Sequence, residues 1–217
     1  MPSQAKSLAA RPGRVYRGVS EAVRRSERQQ RLIDTAIEAF GTRGIRHVSV
    51  RDICTAAGFT PRYFYESFED LDSLLAATVD LLLERLADDL RQAFHAGPMK
   101  DLRRVLRRLV RAYLEFLRKD ARATRILMVE IYGMGLDMDR LSNRFVRSLG
   151  AEFLPLMAAL RQAGLPRKAS AGLVLTGSLG AMVFIGTRWI STGYGAPIET
   201  VVESCMSLIA LPGVEAG

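Results

Sequence analysis

Four consecutive residues, Thr60-Pro61-Arg62-Tyr63, and Tyr65 just after them have types suited to reading a nucleic-acid duplex. The guanidinium of Arg62 matches the edge of a guanine in two parallel hydrogen bonds. Tyr63 can meet a thymine methyl group or a phosphate, and Tyr65 can reach the sugar-phosphate backbone. Ser49 and Arg51, slightly upstream, complete the candidate set. Arg46 and Arg51 fit a phosphate contact and a solvated surface charge equally well. The competing reading makes Arg62, Tyr63 and Tyr65 plain exposed residues of a small packing unit. Catalytic chemistry finds far less to work with. His47 and His95 are the only histidines, and Cys54 and Cys205 have neither a second Cys nor a His at zinc-ligand spacing. No paired catalytic signature or phosphate-cradling glycine loop occurs, so no enzyme, cofactor or metal is expected.

For the five aromatic and polar residues to reach a groove, they must sit at the start of a short, rigidly presented helix. The flanking sequence provides one. Ser49 stands as an N-cap with Asp52 three residues on, and Val50, Ile53, Cys54 and Ala57 make an apolar stripe over two turns that ends at Gly58. Gly58 can take the positive φ of a sharp inter-helix turn. Thr60 can then cap a helix of about Pro61 to Glu66 whose first residue, Pro61, has no N–H to leave unsatisfied. Phe64 and Phe68 are expected to pack inward. Upstream, Ile33, Ala36, Ile37 and Phe40 recur at helical spacing, and Gly41 and Gly44 supply the stop, giving a helix from near Ser26. Downstream, Asp70 caps a long helix carrying Leu71, Leu74, Leu75, Thr78, Leu82 and Leu86 on one side.

Over Arg31 to Leu75, RLIDTAIEAFGTRGIRHVSVRDICTAAGFTPRYFYESFEDLDSLL, the chain resembles the TetR family of bacterial regulators. The resemblance joins the glycine-bounded first helix, the capped Val-x-x-Ile-x-x-x-Ala helix, the Gly58 turn, and Phe64-Tyr65-x-x-Phe68 leading into a leucine-rich helix. It implies a homodimer that binds double-stranded DNA, a variable C-terminal ligand pocket, and repression that a ligand releases. Two positions depart from the family pattern. Leu71 stands where many members have a phosphate-holding Lys, and acidic Glu66, Glu69 and Asp70 lie close to the recognition helix.

The charge distribution agrees with a polyanion partner at this end. Of 31 basic and 23 acidic residues in the 217-residue chain, residues 1–65 hold 12 basic but only 5 acidic ones, and the remainder is nearly balanced. Residues 1–25 contain Pro2, Pro12, Gly13 and Gly18 among arginines with no apolar period, and read as a flexible basic arm. Such an arm could enter a minor groove or remain a solvated tail. The absence of a disulfide framework points to the cytoplasm.

The expected architecture is all-α with about nine helices. It comprises the arm over 1–25, a helix-turn-helix DNA-binding domain over 26–70, and a helical ligand-binding and dimerisation domain over 71–217. Further helical patterns fall at about 99–118, 121–133, 137–163, 167–192 and 197–210. Within them, Tyr113, Phe116, Met128, Tyr132, Phe145, Phe153, Met182 and Trp189 are candidate lining for a small apolar or aromatic ligand, each also serving as ordinary core. Lys100, Arg103, Arg104, Arg107, Arg108 and Arg111 form a basic face, read as solvated, with an acidic partner or membrane surface as the alternative. The uncharged run Ala169 to Thr187 is nearly long enough to span a bilayer. Its glycines fit a dense bundle equally well, in which the last two helices form the dimer interface. A membrane-associated helical interaction protein is therefore the alternative function.

Overall fold

A computed structural model of the chain describes residues 16–130, 153–162 and 171–209. These are helical throughout, with no strand among them. The first helix, α1, spans Tyr16–Arg43 and so begins ten residues before Ser26. Residues 16–25 are therefore helical, contrary to the flexible-arm reading. Past Gly18 the sequence is rich in Glu, Arg and Gln, good helix formers, and Arg25 and Arg28 both find a partner in Glu66. Leu32, Ile33, Ala36, Ile37 and Phe40 form its buried stripe. Of the two glycines expected to stop it, only Gly44 does, at φ 82°, with its N–H on Phe40 O at 2.9 Å. Gly41 lies inside the helix for a different reason: a Cβ there would sit 2.6 Å from Arg122 Cα.

A 3₁₀ turn, Ile45–His47, leads to α2, Val50–Ala57, which opens with a complete capping box. Ser49 Oγ accepts from Asp52 N at 3.2 Å, and Asp52 Oδ2 accepts from Ser49 N at 2.8 Å. The helix closes at Gly58, φ 74° and ψ 30°, the left-handed geometry that glycine adopts without steric cost. Then come α3, Pro61–Tyr65, and α4, Leu71–His95. A second capping box starts α4, with Asp70 Oδ1 accepting from Ser73 N at 2.7 Å. Leu74, Leu75, Thr78, Val79, Leu82, Leu86, Leu90 and Phe94 are its buried face, and Thr78 satisfies its hydroxyl on Leu74 O.

Asp101 caps α5, Leu102–Lys119, and Asp120 caps α6, Ala121–Arg125, whose chain continues as a π-helical turn, Ile126–Glu130. The last described helices are α7, Leu154–Gln162, α8, Ala171–Ser191, and α9, Ile198–Leu208. Between α8 and α9 the backbone turns through two left-handed residues, Gly193 (φ 64°) and Tyr194 (φ 59°). For a tyrosine this conformation costs about 1 kcal/mol or more. Tyr194 offsets it by donating its hydroxyl to Leu117 O at 3.2 Å and meeting the Trp189 ring edge-on, while Trp189 Nε1 donates to Ala196 O at 2.8 Å. The turn thereby fixes the α8–α9 pair on the end of α5.

The basic face of α5 is used inside the molecule, which revises its reading as solvated. Arg108 donates from Nε to Ala93 O at 3.1 Å and from Nη2 to Gly97 O at 3.3 Å, closing the carbonyl end of α4. Arg107 pairs with Glu203 and Arg111 with Glu199, both on α9. Arg104 pairs with Asp101. Among the described residues no helix is long and apolar enough to cross a membrane. In the run that raised the question, Gly186 lies so close to α5 that an added Cβ would be 3.1 Å from the Tyr113 hydroxyl, and Trp189, two residues past the run, is buried.

Candidate nucleic-acid interface

The reading unit is α2, the Gly58 turn and α3. Ile53, Cys54, Ala57, Phe64 and Phe68 are all buried, so the pair is held from beneath by its own core. Burial also pushes the Cys54 thiol above its ordinary pKa, as it does the Cys205 thiol on α9, and both cysteines are free. Packing thus leaves the opposite face of α3 outward. Thr60, Pro61 and Arg62 are exposed, with Tyr63 40% and Tyr65 60% accessible. Ser49 and Arg51 are exposed on the adjoining start of α2. All seven residues chosen from the sequence therefore reach solvent on this unit.

Two of them act differently from expectation at the local level. Thr60 occupies the N-cap position with extended backbone, but its side chain makes no capping bond; its carbonyl accepts from Tyr63 N at 3.0 Å instead. Its hydroxyl is thus not committed to the cap. Ser49 is committed, because its hydroxyl both accepts from Asp52 N and donates to the Asp52 carboxylate at 2.6 Å. The hydrogen bond from the Ser49 hydroxyl, followed by that from the Ser49 N–H, holds the Asp52 carboxyl below its ordinary range.

Arg62 donates from Nε to Glu66 Oε1 at 3.0 Å, one turn away on the same side of the helix. Glu66 in turn is surrounded by cations from α1. Arg25 Nη2 donates to its backbone carbonyl at 3.2 Å, and Arg28 Nη2 lies 3.9 Å from its Oε2. Arg28 also places its guanidinium 5.0 Å over the Tyr63 ring, and Arg31 lies 5.8 Å over Phe59, which meets Tyr63 edge-on. Sequence reasoning had set Glu66 down only as a repulsive charge near DNA, left Arg25 in a flexible basic arm and gave Arg28 no role in the first helix. The signal was present, however: two cations three residues apart, Arg28 and Arg31, match two aromatics four residues apart, Phe59 and Tyr63. Leu71, which replaces the expected Lys, packs partly buried against the core.

In the C-terminal half, the eight residues proposed as ligand lining separate into groups. Tyr113 Oη donates to Met182 O at 3.5 Å and approaches Met128 Sδ at 3.8 Å, so Tyr113, Met128 and Met182 meet between α5, the π turn and α8. Phe116 is buried elsewhere, lining a groove of 550 Å³ with Leu82, Asp88, Lys119 and Ala123. Phe153 stacks on Phe94 at 4.8 Å, and Trp189 belongs to the α8–α9 turn. Tyr132 and Phe145 lie outside the described residues. No group of three or more His, Cys, Asp or Glu side chains among the described residues is arranged to hold a metal ion.

The two halves join where α6 crosses α1. Gly41 admits Arg122 against the helix backbone, Arg122 pairs with Glu38 and with Asp120, and Arg125 Nη1 donates to Thr42 O at 3.0 Å. Burial raises the Asp120 carboxyl, but hydrogen bonds from the Arg122 side chain and from the N–H groups of Arg122 and Ala123 outweigh it and leave the carboxyl below its ordinary range.

Residues 32–78 match the family model for bacterial regulatory proteins of the tetR family. Along most of its length the chain is similar to the HTH-type transcriptional repressor KstR2 of Rhodococcus jostii (strain RHA1). Identity is 26% over 193 residues, covering 85% of this chain and 90% of that one. Its fold is also that of a tetR family transcription regulator from Shewanella sp. PV-4, at TM-score 0.70 and 15% identity, with 84% of this chain and 95% of that one aligned. The transcriptional regulator FadR of Bacillus subtilis, solved in complex with stearoyl-CoA, superposes at TM-score 0.69 and 13% identity, over 86% of this chain and 99% of that one.

Proposed function

Belonging as it does to the tetR family of bacterial regulatory proteins, this chain is a DNA-binding transcriptional regulator, and we propose that it represses from a palindromic site until a small apolar ligand releases it. Regulators of this family bind DNA and act as dimers. The finer reading divides the chain into a reading head over residues 26–70 and a ligand-binding and dimerisation domain over 71–217. In that reading Thr60, Pro61, Arg62, Tyr63 and Tyr65 enter the major groove, while Ser49 and Arg51 lie against the backbone. The observation that carries it is the outward presentation of Thr60 to Tyr63 on a helix fixed from beneath by Phe64 and Phe68.

The dimer is assigned to α8 and α9. Support comes from Phe184, 76% exposed on α8, and Leu208, 58% exposed on α9, large apolar side chains that a second copy would cover. Pairing there leaves both reading heads free to meet grooves about one helical turn, roughly 34 Å, or a multiple apart. The ligand is assigned to the junction of α5, the π turn and α8, where the Tyr113 hydroxyl meets the Met128 thioether and the Met182 backbone carbonyl. Stearoyl-CoA in the FadR neighbour makes acyl-CoA thioesters the first compounds to try. Release follows if the ligand binds more tightly to a dimer whose heads no longer fit the grooves. The regulator is placed in the cytoplasm, in keeping with two unpaired, buried cysteines.

The test is a double substitution, Arg62→Ala with Tyr63→Ala, assayed on the duplex that the wild-type protein selects from a randomised library. We expect at least a hundredfold loss of affinity for that duplex, since each specific base contact is worth about 1–3 kcal/mol. Helix content should not change. Undiminished binding would mean that α3 is not the element that reads DNA.

A further inference from the structure

Arg28 is a charged side chain placed at a cost. Its Nε is buried with no hydrogen-bond partner, and its Nη2 stops 3.9 Å short of Glu66 Oε2, too far for a good hydrogen bond. Glu66 keeps its other oxygen on Arg62, whose side chain is 84% exposed and is the one that the DNA-binding reading sends to a base edge. With Nε held by Glu66, Arg62 can offer a guanine only its two Nη groups, and a fork through Nε and Nη2 requires it to leave Glu66. Leaving, it would strand a carboxylate under a helix that faces phosphates.

We propose that Arg28 and Glu66 form a charge-exchange pair beneath the recognition helix: as Arg62 leaves Glu66 for duplex DNA, the carboxylate turns onto Arg28 and satisfies its unmet donor. Three features prepare the exchange. Arg25 already pins the Glu66 backbone through its carbonyl, so the carboxylate can rotate while the chain stays in place. Stacking over Tyr63 holds the Arg28 guanidinium at the level of α3. The Arg28 guanidinium already lies toward Glu66, with Nη2 3.9 Å from Oε2. Arg28 is then a positioning residue that sets specific affinity without touching DNA. Glu66, which would otherwise repel the phosphates, becomes the acceptor that keeps Arg62 from binding duplexes indiscriminately.

This inference rests on the assignment of α3 as the recognition helix, and one experiment separates the two. Binding to the selected duplex and to a scrambled duplex of equal length is measured across a salt series for wild type, Arg28→Gln, Glu66→Gln and the double variant. Arg28→Gln is expected to weaken selected-duplex binding about tenfold with an unchanged salt slope. In the Glu66→Gln background the same substitution should cost less than about twofold. Glu66→Gln alone should strengthen scrambled-duplex binding several-fold and so reduce the ratio of specific to non-specific affinity, a readout that holds even if Arg28→Gln fails to fold. A salt slope reduced by about one in the Arg28 variant would make Arg28 a phosphate contact and overturn the exchange. Equal losses in both backgrounds, or a Glu66→Gln variant with unaltered discrimination, would overturn it as well. A wild-type protein that selects no duplex at all would instead sink the DNA-binding assignment itself.

Discussion

The reading unit over Ser49 to Phe68 and the helical domain behind it hold themselves together in opposite ways. In the reading unit, the caps and turns are fixed by residues within four positions: Ser49 with Asp52, Gly58 with Cys54 and Thr55, Arg62 with Glu66. Helix α1 adds Arg25 and Arg28 beside Glu66. In the C-terminal domain, the defining bonds run between distant segments. Arg111 reaches Glu199, Arg107 reaches Glu203, and Tyr194 reaches Leu117. The caps and turns of the reading unit are therefore set locally, and its outer face is presented, among the described residues, without contacts from the C-terminal helices α8 and α9. The C-terminal domain is determined by how its helices lie against one another, which is the property that the proposed ligand response requires.

Substitution at the junction tests that contrast most severely. Gly41→Ala puts a methyl group into the backbone of Arg122, and α6 must move away from α1. Overpacking of this kind costs about 1–3 kcal/mol. We expect thermal unfolding to begin several degrees lower, roughly 2–4 °C per kcal/mol for a chain of this size. If the contrast is sound, residual binding to the selected duplex survives while any response to ligand is blunted.

Of intermediate size is the loss of the α2 cap. Ser49→Ala should cost about 1 kcal/mol, felt in the reading unit alone and read by urea unfolding. The same cap has a pH signature. Because the folded Asp52 carboxyl titrates below its unfolded value, its contribution is complete above the ordinary Asp range near about 3.9 and is lost as pH falls through the depressed value. Asp52→Asn should therefore flatten the acid limb of the stability profile, and an unchanged limb would remove Asp52 from the account.

The smallest effect belongs to the long-range ion pairs taken singly. Arg111→Gln breaks the contact with Glu199, yet the two side chains are 36% and 58% exposed. An exposed pair is worth about 0.2–1 kcal/mol, less in salt. The melting temperature should drop by no more than about 3 °C in low salt and less in high salt. A drop of about 10 °C would mean that α9 is held chiefly by its charges, and the contrast between the two regions would need restating.

The same division explains what could be read in the sequence. The Ser49 capping box, the Asp70 cap, Pro61 at the start of α3, the left-handed Gly58 and the inward Phe64 and Phe68 follow from neighbours a few residues apart, so local rules found them. Gly41 was read as a helix stop because the Arg122 backbone that explains it is remote in sequence. The start of α1 was misjudged because Glu66 and Tyr63, which hold Arg25 and Arg28, belong to another helix. The basic face of α5 looked solvated for the same reason, its acidic partners being some ninety residues away. Of the aromatic and methionine set, side-chain type identified candidates for an apolar guest but could not say that Tyr113, Met128 and Met182 meet while Phe153 and Trp189 pack elsewhere.

The first helix is 28 residues long and straddles both regions, with Gly41 against α6 and Arg28 beside α3. Those two positions are 13 residues apart, about 20 Å along the axis at 1.5 Å per residue. A rigid rod of that span amplifies: tilting it by about 5° about its glycine end sweeps the arginine end sideways by nearly 2 Å. That is more than a hydrogen bond tolerates. The helix is in effect a lever arm, with its fulcrum at Gly41 against α6 and its tip beside the outward residues of α3.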